Sequence, residues 1–317
     1  ATTTFNNFAT VKIDAPASFV VAGSGTIGSG QSLVVLGTAS TAGTLSVSGS
    51  LTLGGTVGGS GTLAVLTGGK VSGSGQLGGG TLSLNNHVGG LVNANGSAAL
   101  VINSGTLAVV NAGTIESTST GGLTITGAVS NTGVLLATKG TLTVDGAVTG
   151  AGTVKISGGT ADFASTFSEN VAFSITAGSV LELAKSQTYT GKVSGLSTTG
   201  TNALDLLDIG FTSGTTKATY SGTATSGTLT VTDGTHTAKI TLLGNYVGHT
   251  FTPSSDGHGG TKVVDPATSA GGGGAGHVVP LVTAMAAFGT GAPAGVDRAT
   301  QPQTDRLPLF AAAARRA

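Results

Sequence analysis

The sequence contains no cysteine, no tryptophan and a single methionine in 317 residues. A disulfide scaffold and a cysteine-built metal site are therefore excluded. Charge is scarce: 8% of residues are charged, against about 25% in a typical globular chain. The 13 basic side chains balance 13 acidic ones, and so few scattered cations exclude a basic nucleic-acid-binding surface. Long apolar runs are missing as well. The longest, Val278 to Phe288, holds Pro280 and falls short of the roughly 18 residues a membrane helix needs, so no membrane span is expected. Proline is rare at 7 residues and glycine does not fall at every third position, which excludes collagen. A mean hydropathy of +0.33 is on the wrong side for charge-driven disorder.

What is abundant is glycine, at 56 residues, together with Thr, Ser, Ala, Val and Leu. Thr44–Ser48 (TLSVS), Thr62–Leu66 (TLAVL), Thr81–Leu84 (TLSL) and Thr141–Val144 (TLTV) each alternate polar and apolar residues and each follow a glycine. A period of two puts the apolar residues on one face of a strand and the hydroxyls on the other. The glycines are read as turn residues with positive φ, and the β-branched Thr as the strand opener. The first apolar residue after each turn falls at Ile27, Leu45, Leu63, Leu82, Leu107, Leu123, Leu142 and Ala161, in steps of 18, 18, 19, 25, 16, 19 and 19. A period near 20 with two or three short strands per repeat indicates an all-β fold, a β-solenoid (parallel β-helix). Eight such coils at about 4.8 Å each would enclose a core roughly 40 Å long.

All 13 aromatic residues lie outside positions 20–162, as expected of a thin interior filled by Val, Leu, Ile and Ala. Three Asn-x-Gly turns, at Asn103–Gly105, Asn111–Gly113 and Asn131–Gly133, suit a repeated corner, and stacking would align such side chains into a hydrogen-bonded ladder. These patterns divide the chain into an N-terminal cap (1–19), solenoid repeats (20–195), terminal coils with a C-terminal β cap (196–265), and a flexible tail (266–317). In the cap, Gly227–Asp233 and His236–Leu243 read as a hairpin joined at Asp233-Gly234-Thr235. The tail holds all four Arg and five of the seven Pro, and it includes Gly271–Gly274; it is expected to be disordered apart from a short helix around Ala311–Arg316.

Segment 150–265 resembles the C-terminal passenger module of large extracellular proteins of alphaproteobacteria. The resemblance rests on Gly159–Phe163 (GTADF), Ser168–Val171 (SENV), Gly227–Gly234 (GTLTVTDG), Leu243–Tyr246 (LGNY) and Ser254–Thr261 (SSDGHGGT). The earlier repeats are similar to those of autotransporter passengers and filamentous-haemagglutinin-type adhesins. That resemblance implies an extracellular or cell-surface β-helix, exported by type V or type I secretion. The chain lacks the membrane barrel of an autotransporter and begins Ala1-Thr2-Thr3 without a basic and apolar leader. The expectation is that it is processed or that its tail is the export signal.

Little in the sequence suggests chemistry. His87, His236, His249, His258 and His277 have no partner at metal-ligand spacing. Asp256-x-His258 could be half of a calcium-binding turn, but a Gly-rich turn with polar side chains fits better, because the Asp does not recur at a nine-residue period. Asp205 and Asp208, three apart, fall on opposite faces of a strand and so do not form the carboxylate pair of a glycosidase. Lys12, Asp14, Lys70, Glu116, Lys139 and Asp145 are scattered. Gly23–Gly28 (GSGTIG) lacks the lysine and following helix of a phosphate loop. The sequence assigns no catalytic, cofactor-binding or metal-ligating residue and no cofactor. It points to a structural or adhesive rod that associates with itself, a surface or a polysaccharide, and not to an enzyme. The alternative is a carbohydrate-active β-helix enzyme, a polysaccharide lyase or hydrolase.

Overall fold

The computed structural model describes residues 3–4, 8–174 and 176–266. It is a β-solenoid: three sheets of stacked parallel strands wind into rungs of about 20 residues. The expected tail beyond 266, with Gly271–Gly274 and Ala311–Arg316, lies outside the described residues.

One rung shows how the sequence folds. Thr44–Val47 belongs to the first sheet, Ser50–Leu53 to the second and Thr56–Gly58 to the third, and Thr62–Val65 then returns to the first. Within each strand the residues alternate out and in. Leu45, Val47, Leu51, Leu53 and Val57 are all buried, while Thr44, Ser46, Ser50 and Thr52 are half-exposed. Each rung lies in register on the next, so that Leu45, Leu63 and Leu84 form one apolar column. No rung could bury its inner face alone. Stacking does so, and it satisfies the backbone in the same step. The second sheet runs through eleven parallel strands from Thr10–Ile13 to Thr237–Leu243, a length of about 48 Å at rung spacing.

The register corrects the landmarks taken from spacing. Ile27 pairs with Val47, not Leu45, and Leu63 pairs with Leu84, not Leu82. Leu107 is 43% exposed. Leu123, Leu142 and Ala161 stack on one another, but on the third sheet. Rung length also varies at the corners. Val57, Leu77, Ile102 and Ile125 stack directly although 20, 25 and 23 residues separate successive members.

Glycine has a second role beyond φ. Of the four glycines that precede the strands read from sequence, Gly80 has the expected positive φ, +98, whereas Gly43, Gly61 and Gly140 are not among the positive-φ glycines. A Cβ on Gly61 would collide with the carbonyl oxygen of Gly43, one rung away. Corners stacked at strand spacing leave no room for a side chain between them.

The inner column that runs through Ile27, Val47 and Val65 turns polar at Asn86, Asn111 and Asn131, and then reaches Gly150. Asn86 Nδ2 donates to Asn111 Oδ1 at 2.8 Å, and Asn111 Nδ2 to Asn131 Oδ1 at 2.7 Å. The expected ladder is therefore present, with Asn86 as an added member. Asn103 is absent from it, accepting from Gly105 N in its own turn. The bridge between Val148 and Phe167 places Glu169 one rung beyond Gly150, and Asn131 Nδ2 donates to Glu169 Oε2.

Aromatic rings enter the core where the first sheet stops at Val148–Gly150. Phe163 and Phe167 stack with centroids 3.8 Å apart, and Tyr189 lies 5.5 Å beyond. Together they fill the space that the missing strands vacate. At the far end the second sheet closes with the antiparallel strands Ser226–Thr232 and Lys217–Gly222, and the third with Thr261–Val264 and Thr252–Ser255. The expected hairpin around Asp233–Thr235 is the first of these. Tyr220, Tyr246 and Phe251 cluster beneath them at centroid distances near 6 Å: 5.8, 5.9 and 6.1 Å.

Candidate functional site

The outer face of the third sheet carries the densest set of ionisable groups. Strand alternation buries Ala161, Phe163, Leu181, Leu183, Leu204 and Leu206, so the intervening Asp162, Glu182 and Asp205 point outward. They are also in register: Thr143 pairs with Asp162, Asp162 with Glu182, Glu182 with Asp205, and Asp205 with Lys262 of the antiparallel closing strand. Rung spacing sets neighbouring carboxylates about 5 Å apart and the outer two about 10 Å apart.

A fourth carboxylate joins from the turn after Thr252–Ser255. Asp256 Oδ1 accepts from His258 N at 2.7 Å and Gly260 N at 2.9 Å. A Cβ on Gly260 would come 2.5 Å from Asp256 Oδ2 and 2.9 Å from Leu206 O, so glycine there lets the turn close onto the end of strand Ala203–Leu206. Asp205 Oδ1 and Asp256 Oδ2 are buried without a hydrogen-bond partner in the protein.

Burial and like charge work in the same direction along this column. Glu182 is pushed up to about 6, first by burial and then by Asp162, Asp205 and Asp256, with His258 opposing. Asp205 is raised by burial and by Asp256 against the pull of Lys262 and His258. Asp162 is raised by burial and Asp145, with the Thr143 hydroxyl opposing. Such a column can exchange protons near neutral pH or bind a cationic or hydroxyl-rich ligand. Among the described residues no group of three His, Asp or Glu side chains could hold a metal ion.

The residues singled out from sequence mostly do structural work. Asp208 does not join Asp205. Its carboxylate accepts from Ser186 N at 3.1 Å, from Gln187 N and Nε2 at 3.2 Å, and from the Ser186 hydroxyl, holding the short 3₁₀ turn Ser186–Thr188. Asp256 and His258 form the polar turn expected of them, although Asp256 also faces the column. His236 Nδ1 lies 2.9 Å from Asp233 Oδ2. Hydrogen bonds from His236 and Thr235 hold the Asp233 carboxyl well below the usual range. His249 Nδ1 contacts the buried Asp265, and His87 is exposed. His277 lies outside the described residues. Lys12 and Asp14 form an exposed ion pair at 2.6 Å. Glu116 stands alone on the second sheet, raised by burial. Lys70 and Lys139 line two separate open grooves of Gly, Ser and Thr. Gly25–Ile27 is a strand followed by another strand, Ser32–Val35, as the absence of phosphate-loop features implied.

Asp162 and Glu182 do not stand out as a site in the sequence, because 20 and 23 residues separate the three column members. Only the pairing register reveals them as neighbours. The signal in the sequence is an acidic residue between two apolar ones in three successive third-sheet strands. No protein-family model and no curated protein matches this chain.

Proposed function

We propose that this chain is an extracellular structural or adhesive rod. The observation that carries the reading is the unbroken parallel stacking of the second sheet, half of whose outward positions are Ser, Thr or Asn. Among them are Ser32, Ser50, Thr52, Ser72, Asn93 and Thr114. Hydrogen bonds running the length of the rod support stability without disulfides or metal. Repeated hydroxyls along this face support weak, multivalent contact with polysaccharide or with further copies of the chain. The test is immunolabelling of intact producing cells together with binding of purified chain to those cells and to their surface polysaccharide. Labelling of unbroken cells and saturable binding are expected; signal that emerges only after lysis would overturn the reading.

A second reading, a carbohydrate-active enzyme, is favoured by one observation: the Asp162, Glu182 and Asp205 column. Carboxylate separations of about 5 to 10 Å span those used for glycoside hydrolysis, and the raised Glu182 has the character of a general acid. Release of new sugar ends from neutral or acidic polysaccharides, lost in Glu182→Gln, would support this reading over the first.

A further inference from the structure

Asp265-Pro266 is the one Asp-Pro pair in the sequence, and it directly follows the closing strand Thr261–Val264. An Asp-Pro bond differs from other peptide bonds in two respects. The Asp side chain can reach its own carbonyl carbon in a five-membered ring, and the Pro nitrogen leaves as a secondary amine. In an unfolded chain the carboxylate samples many rotamers and the reaction is slow.

Here the surroundings are ordered. Asp265 is 0% exposed. Its carboxylate is held by His249 Nδ1, at 2.9 Å from Oδ2 and 3.2 Å from Oδ1. Its main-chain carbonyl oxygen accepts the Gly200 N–H at 2.7 Å, the polarity an attacked carbonyl needs as negative charge develops. Gly200 has φ +73, and a Cβ there would sit 3.4 Å from Pro266 Cα, so this backbone corner lies directly against the leaving residue. Tyr246 packs edge-on against His249 at 5.9 Å and is pinned by its own hydroxyl, which donates to Leu196 O at 2.8 Å. The ion pair with His249 anchors the residue that follows the closing strand.

We propose that Asp265-Pro266 is a self-cleavage site at which the folded solenoid releases residues 266–317. An Asp265 carboxylate oxygen bonds to the Asp265 carbonyl carbon while Gly200 N–H stabilises the developing oxyanion. The carbon–nitrogen bond to Pro266 then breaks, its electron pair staying on nitrogen, which takes a proton from His249 in its imidazolium form. The products of this step are a cyclic anhydride at Asp265, neutral His249 and a free N-terminal Pro266. One water then opens the anhydride to the Asp265 side-chain and α-carboxyl groups. The net reaction is hydrolysis of one peptide bond, with no oxidant or cofactor.

The experiment follows the full purified chain in mildly acidic buffer, folded and in urea, by intact mass and by sequencing the new N-terminus. The folded chain is expected to yield 1–265 and 266–317, with Pro266 as the new first residue, at least ~10-fold faster than in urea. Asp265→Asn should abolish cleavage. Because that substitution alters a buried group, Pro266→Ala provides a second measure: it leaves Asp265, His249 and Gly200 in place and should slow cleavage at least ~10-fold while circular dichroism stays unchanged. His249→Gln should slow it comparably in a folded chain. No cleavage in the folded wild type, equal rates folded and in urea, or a new N-terminus at another residue would each overturn the proposal.

Discussion

Glu169 accepts a hydrogen bond from Asn131 at 2.7 Å across the rung that Gly150 occupies, although 38 residues separate the two in sequence. Gly150 contributes no side chain to the column, and its φ of +125 disfavours one. The long Glu169 side chain fills the gap and ends the amide ladder where the first sheet ends. Glu169→Ala should therefore leave a buried Asn131 donor unsatisfied and cost about 1–3 kcal/mol in urea denaturation. Glu169→Gln keeps an acceptor and should cost less. Equal losses in the two variants would show that the hydrogen bond contributes nothing.

The carboxylate column should make stability depend on pH in a definite direction. Glu182 titrates at about 6 in the fold, up from an ordinary 4.5. The native state therefore holds its proton more tightly than the unfolded state. This contribution is complete below about pH 4.5 and is lost as pH rises through about 6. A shift of about 1.5 would correspond to about 2 kcal/mol, reduced to about 1 or less by solvent screening on a half-open face. Melting curves across this window should show Tm falling as pH rises, with a shallower slope in Glu182→Gln. An unchanged slope in the variant would place the dependence elsewhere.

Leu63 lies at the centre of the apolar column and is 0% exposed. Leu63→Ala should cost about 2–5 kcal/mol, and Leu63→Asp, which buries an unpaired charge, should prevent stable folding. Wild-type thermal stability in the Asp variant would contradict the register.

Two nearby glycines separate crowding from flexibility. Gly61→Ala pushes a Cβ into the Gly43 carbonyl, whereas a Cβ on Gly58 would meet nothing within 4 Å. The first substitution should cost about 1–3 kcal/mol, and the second should be neutral or stabilise by up to about 1 kcal/mol. Comparable denaturation midpoints for the two variants would refute the stacked-corner explanation.

The architecture was legible because it rests on short-range alternation. Thr44–Val47 and Thr62–Val65 show a polar–apolar period of two, and the aromatic-free stretch signals a narrow interior. Sheet identity was less legible. Gly-Thr-Leu strings open strands on the first sheet at Leu45 and Leu63 and on the third at Leu142, so spacing alone joined landmarks from different faces and included the exposed Leu107. The carboxylate column was hidden for the same reason. A rung can gain residues at a corner without disturbing its strands, and the distance between stacked partners then ceases to be constant. Glu169 was hidden because its partner depends on a missing side chain one rung earlier, at Gly150.

That same freedom at the corners has a practical consequence. Between the stacked Leu77 and Ile102 the chain spends 25 residues where other rungs spend 18 or 20, and part of the excess lies at the solvent-facing corner 95–99. Pairing above and below this corner is intact. A foreign peptide grafted between Ser97 and Ala98 would therefore be displayed at a fixed height along the scaffold, and grafts at corners one rung apart would form an array spaced by about 4.8 Å.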